Sequence, residues 1–184
     1  MELTKIDEKG SCQCGLVQYR VRGKILFNVL CHYKTCSQSR GMSPVHVIGV
    51  TPTEGIEVVK GEDLLTLYRK GRMYYCFCEK CGCGVYQGPE GFPFRGIYPT
   101  NFHIEQGVHC ALPEKYLPKM HCNYENRQID WHDPLPKYKT FAGMPGLKQL
   151  PGAGIQLTNS GDEIVGMLND KNIIETDRIT NARM

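Results

Sequence analysis

Cysteine is the residue type with the most chemistry to offer in this chain, ten among 184 residues, and the cysteines fall into short groups. "GSCQCG" places Cys12 and Cys14 in a glycine-flanked turn, where the backbone can bend enough to aim two thiolates at one point. "FCEKCGCG" places Cys78 and Cys81 at the CxxC spacing that grips zinc in a knuckle, with Gly82 available for the tight turn behind it. Together they supply four sulfurs. A shell of four thiolates closes a tetrahedral zinc completely, so such a site is structural and its binding energy contributes to folding. Two alternatives stay open. Cys76 and Cys83 extend the second pair, and either can replace a neighbour or serve a second metal, since Cys76 and Cys78 would share one face of a strand. All of these residues can also be plain buried thiols, which behave as small hydrophobes.

A third group, "CHYKTCSQSRG", sets Cys31 and Cys36 five positions apart with His32 and Tyr33 between them. A catalytic zinc takes three protein ligands and keeps one position open, and this segment offers two thiolates as a candidate second zinc site. His32 is a candidate acid or base near neutral pH. Tyr33 carries a phenol that ordinarily ionises only near pH ~10, and is a candidate proton donor. Further along, "FPFRGIYPTNFH" gathers Phe92, Phe94, Tyr98 and Phe102, of which Phe94, Tyr98 and Phe102 are candidates for binding substrate, with Tyr74 and Tyr75 nearby. A pocket lined this way suits a ring-bearing or extended molecule, whereas each ring taken singly fits a core equally well. Arg40 and Arg95 are candidates for holding a carboxylate. His46 reads as a satisfied structural histidine.

These groups need a scaffold, and the pattern before residue 100 is that of short strands. In "LVQYRVR", Val17, Tyr19 and Val21 alternate with Gln18, Arg20 and Arg22, the period of two expected of a half-buried strand. "ILFNVL", "VHVIGV", "IEVV", "LLTLYRK" and "RMYYCF" follow, broken by Gly, Pro and Asp clusters. No segment in this part carries a helical stripe, so the reading is all-β. Residues 105–151 are rich in Pro, His and aromatic residues, which predicts extended segments and turns wrapped around the sheets. Beyond them "DEIVGMLNDKNII" predicts one weak helix in a polar appendage.

The net charge of +3 is small and its lysines and arginines are scattered, which argues against nucleic acid as a partner. No apolar run approaches the ~20 residues of a membrane span, and "MELTKIDEKG" lacks a signal-peptide core. A soluble, cytoplasmic protein is expected, in which cysteines serve as thiols and metal ligands rather than disulfides. The expected partner is a small-molecule substrate, with a homodimer left open.

"GSCQCGLVQY", "CHYKTCSQSRG" and "FCEKCGCGVYQ", in that order, resemble the glutathione-dependent formaldehyde-activating enzyme (GFA) and centromere protein V family, and "HCNYENRQIDW" and "LPKYKTFAGMP" resemble its closing segment. The resemblance implies a β-tent fold of stacked antiparallel β-sheets tied by zinc over residues 8–145, with an irregular Pro-rich C-terminal part and a flexible or weakly helical extension over 146–184. It implies that Cys12, Cys14, Cys78 and Cys81 hold the structural zinc. Cys31 and Cys36 match the first and last ligands of the family's catalytic zinc, whose motif reads Cys-x-Cys-x-x-Cys, and Tyr33 stands where the middle cysteine would be. The implied activity is that of a zinc-dependent carbon-sulfur lyase acting on a glutathione adduct or an activated carbonyl. Two alternatives are a GFA-fold enzyme for a bulkier aromatic substrate, by ring opening, dehydration or hydrolysis, and a non-catalytic zinc-stabilised binding module.

Overall fold

The computed structural model describes residues 3–51, 55–90, 92, 94–104, 112–141, 156–157 and 164–165. Its backbone is mostly β, and one strand organises it. β1 (Lys5–Ser11) and β2 (Gln18–Cys31) form an antiparallel hairpin in which Ser11 pairs with Gln18, so residues 12–17 make the turn. β2 runs for 14 residues and merges the two apolar segments that read as separate strands. Gly23, at φ 150°, lies where they join, and a side chain there would meet the Thr51 carbonyl oxygen at 2.8 Å.

The first half of β2 pairs with β1 on one side and β4 (Ile56–Lys60) on the other. Its second half pairs antiparallel with β3 (Val45–Val50) and parallel with β9 (Met120–Cys122). From β3 the ladder continues through β8 (Arg95–Ile97), β7 (Gly84–Pro89) and β6 (Met73–Cys78) to β5 (Leu65–Lys70). The layers expected as stacked sheets are thus one nine-stranded sheet, a hydrogen-bonded path of seven strands with β4 and β9 branching from β2, and antiparallel throughout except at the β2–β9 pair.

Apolar burial divides into two clusters, each built around cysteines. One holds Val17, Tyr19, Val21, Ile48, Val85, Ile97 and Phe102 together with Cys12 and Cys78. The other holds Phe27, Val29, Val45, Val47, Tyr75, Phe94 and Tyr98 together with Cys31, Cys36 and Cys122. Cysteine packs as a small hydrophobe in such places, so burial by itself does not separate a ligand from a filler.

The absence of helix expected before residue 100 is corrected by α1 (Lys34–Arg40). Seven residues are two turns, too short for an apolar stripe to show in sequence. The signal that was present is Gly41, which ends the helix in the left-handed conformation at φ 62° and returns its N–H to the Ser37 carbonyl. The predicted helix at "DEIVGMLNDKNII" lies largely outside the described residues. Its two described members, Ile164 and Val165, form β11, paired with β10 (Gln156–Leu157). The boundary at residue 145 also falls outside the described residues. Among the described residues no helix is long and apolar enough to cross a membrane.

Candidate metal centres

The first centre follows from two turns. Cys12 and Cys14 sit in the β1–β2 turn, where Cys12 N–H donates to the Val17 carbonyl and Gly15 N–H to the Cys12 carbonyl, each at 3.0 Å. Cys78 ends β6 and Cys81 lies in the turn that follows, which closes through Gly82 N–H on the Cys78 carbonyl at 2.8 Å, with Gly82 at φ 68°. The four sulfurs all lie within 4.8 Å of one another, with Cys12–Cys14 at 3.4 Å and Cys14–Cys78 at 3.9 Å. A tetrahedron with metal–sulfur bonds of about 2.3 Å has edges of about 3.8 Å, so these residues fit a metal ion of that kind. Burial works against ionisation of Cys81, but the backbone N–H groups of Cys83 and Cys14 lower its thiol to about 6, which favours the thiolate a metal takes. Cys83 stands outside the set, near the Gly84 carbonyl at 3.6 Å and Asn101 Oδ1 at 3.8 Å. Cys76 also stands apart, buried beside Tyr86.

A second group of cysteines is drawn from three separate elements. Cys31 ends β2, Cys36 lies on α1 and Cys122 ends β9, exposed by 7%, 2% and 0%. Parallel pairing sets Cys122 directly opposite Cys31. Asn123 Nδ2 lies 3.7 Å from Cys31 Sγ and 3.9 Å from Cys122 Sγ, so one amide faces both sulfurs. The neighbouring Cys122 and burial hold Cys31 well above the ordinary thiol range, against a lowering contribution from Cys36, while Cys31 and burial do the same to Cys36. Cys122 is the residue that sequence reasoning missed. Its only local cue is a cysteine beside a histidine inside "HCNYENRQIDW", and the contact depends on strands 91 positions apart.

A chain of donors reaches Cys36 from the interior. Arg40 Nε donates to Tyr98 Oη at 2.9 Å, Tyr98 Oη donates to Gln87 Oε1 at 2.6 Å, and Gln87 Nε2 donates to Cys36 Sγ at 3.4 Å. Tyr75 Oη adds a second donor to Cys36 at 3.8 Å. The Arg40 guanidinium lies 4.5 Å from the Tyr98 ring centre and 5.8 Å from that of Tyr75, and its Nη2 is buried with no hydrogen-bond partner among the described residues. Gly84 makes this possible: a Cβ there would stand 2.1 Å from Arg40 Nη1. Arg95, the other candidate for a carboxylate, instead donates to the carbonyls of Phe92 and Phe94 at 3.4 and 3.1 Å.

His32 and Tyr33 do not join the sulfurs with their side chains. Alternation along a strand turns His32 to the face opposite Cys31, where it meets His121, the neighbour of Cys122. Asp133 Oδ2 accepts a hydrogen bond from His121 Nε2 at 2.8 Å; with both rings neutral, His121 Nδ1 accepts from His32 Nε2 at 2.8 Å, and His32 Nδ1 is buried without a partner among the described residues. Burial lowers His32 to about 4, so it stays neutral near pH 7. This His32–His121–Asp133 row, with His32 N–H on the Cys122 carbonyl at 3.0 Å, fastens β9 to the end of β2. Tyr33 is 40% exposed at the N-terminus of α1.

The aromatic candidates are split. Phe94 and Tyr98 belong to the cluster around Cys31 and Cys36, whereas Phe102 packs edge-on against Tyr116 in the other. Phe94 packs edge-on against Phe27, with ring centres 5.1 Å apart, so it serves as core. Beside Tyr75 a depression of about 190 Å³ opens, lined by Thr35, Gln38, Ser39, Tyr68 and Lys70.

Compared with known proteins, residues 7–126 match the family described as glutathione-dependent formaldehyde-activating enzyme. A crystal structure of a Rhodobacter sphaeroides protein is similar at 22% identity and a TM-score of 0.44, over 55% of this chain and 92% of that one. No curated protein sequence matches this chain.

Proposed function

This chain belongs to the glutathione-dependent formaldehyde-activating enzyme family, and we propose that it is a zinc-dependent lyase of carbon-sulfur bonds whose reacting centre lies at Cys31 and Cys36. The substrate class is a thiol adduct of an aldehyde, such as that of glutathione. The observation that carries this reading is the row from Arg40 through Tyr98 and Gln87 to Cys36, which brings oriented donors and a positive charge to a buried sulfur. A core that only needed filling would have no use for it, since burying an amide and a guanidinium is costly unless they act on something.

The four-sulfur centre would hold a zinc with no open position, and its role is to tie the β1–β2 turn to the end of β6. At the second centre a zinc would supply Lewis acidity, either lowering the pKa of a thiol or polarising a carbonyl. The chain's own groups do the rest. Gln87 fixes the direction of Cys36, and Arg40 holds Tyr98 in place from behind. Burial raises the Tyr98 phenol well above its ordinary range, so it stays protonated and remains a donor near neutral pH. The depression is the side from which a small adduct would approach, with Tyr75 standing between it and Cys36, and Lys70 on its rim offers a cation for the carboxylate of a peptide thiol.

The test is a direct one. The protein is incubated with glutathione and 13C-formaldehyde, and adduct formation and cleavage are followed by NMR. Cys36→Ser should lower the exchange rate by roughly 100-fold or more while leaving the circular dichroism spectrum intact. Equal rates in Cys36→Ser and the unaltered protein would exclude this centre.

A further inference from the structure

We propose that Cys122 is the third thiolate ligand of the second metal centre and that it occupies the coordination position left without a thiol at Tyr33. The proposal rests on the reading of Cys31 and Cys36 as a metal site and adds the ligand that this segment lacks.

Three observations support it. The first is register. β9 lies parallel to β2 with Cys31 opposite Cys122, so both side chains leave the same face. Tyr33, by contrast, is exposed at the start of α1.

The second is the set of donors around the sulfurs. Asn123 Nδ2 points at both Cys31 Sγ and Cys122 Sγ, at 3.7 and 3.9 Å, while Gln87 Nε2 and Tyr75 Oη point at Cys36. Neutral thiols are weak acceptors and three of them in a core make no demand for amide donors, whereas metal-bound thiolates do. Asn123 is held for this purpose. Its backbone is left-handed at φ 52°, and its Oδ1 accepts from Phe141 N–H at 3.0 Å, which orients the amide nitrogen towards the sulfurs.

The third is the fastening behind the centre. The His32–His121–Asp133 row lies on the opposite face of the same two strands and fixes β9 at the end of β2. Cys122 is therefore positioned as rigidly as Cys31, the requirement for a ligand contributed from a distant part of the chain. The four sulfurs of the first centre all lie within 4.8 Å of one another, whereas Cys31, Cys36 and Cys122 as a set stand further apart than that, so a bound ion would have to draw them together.

Metal content and cadmium NMR test the proposal without reference to turnover. The dialysed full chain should hold two zinc ions. After exchange with cadmium-113 it should give one resonance in the four-sulfur range and one in the three-sulfur range. Cys122→Ser should drop the zinc content from two to one and remove the three-sulfur resonance alone. Tyr33→Cys/Cys122→Ser should bring the second ion back, which a merely structural cysteine would not allow. A two-sulfur cadmium signal in the unaltered protein, a Cys31–Cys122 disulfide, or two zinc ions held equally tightly in Cys122→Ser would overturn it. If Cys122→Ser does not fold, the cadmium spectrum of the unaltered chain still decides. Two ions with no turnover of any thiol adduct would sink the lyase reading and leave the ligand set standing. Turnover with a two-sulfur signal would do the reverse.

Discussion

The two cysteine clusters are assembled by opposite routes. In the first, both halves are turns in which sequence neighbours converge, Cys12 with Cys14 and Cys78 with Cys81, and its rim is open to solvent at Cys14. In the second, no two sulfurs come from one turn, all three are buried, and the parallel β2–β9 pair must form before Cys122 can meet Cys31. The contrast separates a centre that helps to make the fold from one that the fold makes. Loss of the first should unfold the chain, and loss of the second should leave a folded, inactive one.

The largest effect should come from Cys78→Ser. If the first centre holds a structural metal, removing one of four thiolates costs more than about 4 kcal/mol, most of the stability of a domain this size. The variant should be insoluble, or melt far below the parent with zinc present. A well-folded Cys78→Ser protein with full metal content would erase the distinction between the centres.

Gly84→Ala should come next. The new methyl meets the Arg40 guanidinium, the flexible end of a long side chain, so the fold should lose only about 1–3 kcal/mol. The row to Cys36 would be broken, and activity should fall roughly 10-fold or more, with the first metal still bound. Thermal melting beside turnover checks it, and a stability loss without loss of rate would show that Arg40 acts only in packing.

A smaller effect, dependent on pH, should mark the second region. Burial lowers His46 to about 4, and its ring donates to Asn28 Oδ1 at 2.7 Å. Asn28 in turn holds the segment that leads into β9, through the Leu117 carbonyl at 2.9 Å and Lys119 N–H at 3.0 Å. An unfolded histidine takes its proton near pH 6.5 and the folded one only near 4, so the unfolded state binds more protons between these values. His46's contribution is full above pH 6.5 and declines as the pH falls towards 4, by at most about 1.4 kcal/mol per unit, and His32, also lowered to about 4, adds a like slope in the same window. Hydrogen exchange should report β9 loosening before the β1–β2 hairpin. His46→Gln, which keeps a donor for Asn28, should flatten this part of the profile.

The smallest change is expected of Tyr33→Phe. An exposed phenol at a helix start contributes within about 0.5 kcal/mol to stability, and metal content should stay the same. A loss of the second ion in this variant would return Tyr33 to the centre as a ligand.

The same contrast explains what could be read in advance. The Cys12/Cys14 and Cys78/Cys81 pairs and the alternation of Val17, Tyr19 and Val21 are local patterns, and the chain forms them where they stand. His32 could be named but not aimed, because its direction depends on the phase of β2 at its last residue. Cys122 and Gln87 carry no local signature of a site. They become part of one through pairings across 91 and 51 positions, which no spacing rule within a segment encodes.

β2 has a consequence of its own. It leaves the turn that carries Cys12 and Cys14 and ends on Cys31, so its 14 residues, about 45 Å of extended chain, act as a ruler between the centres. A single residue inserted in it would reverse the facing of everything beyond, trading the sulfur of Cys31 for the ring of its neighbour. Insertions can therefore accumulate in the loops between strands, but the count from Gln18 to Cys31 is fixed by the need to keep two centres in phase.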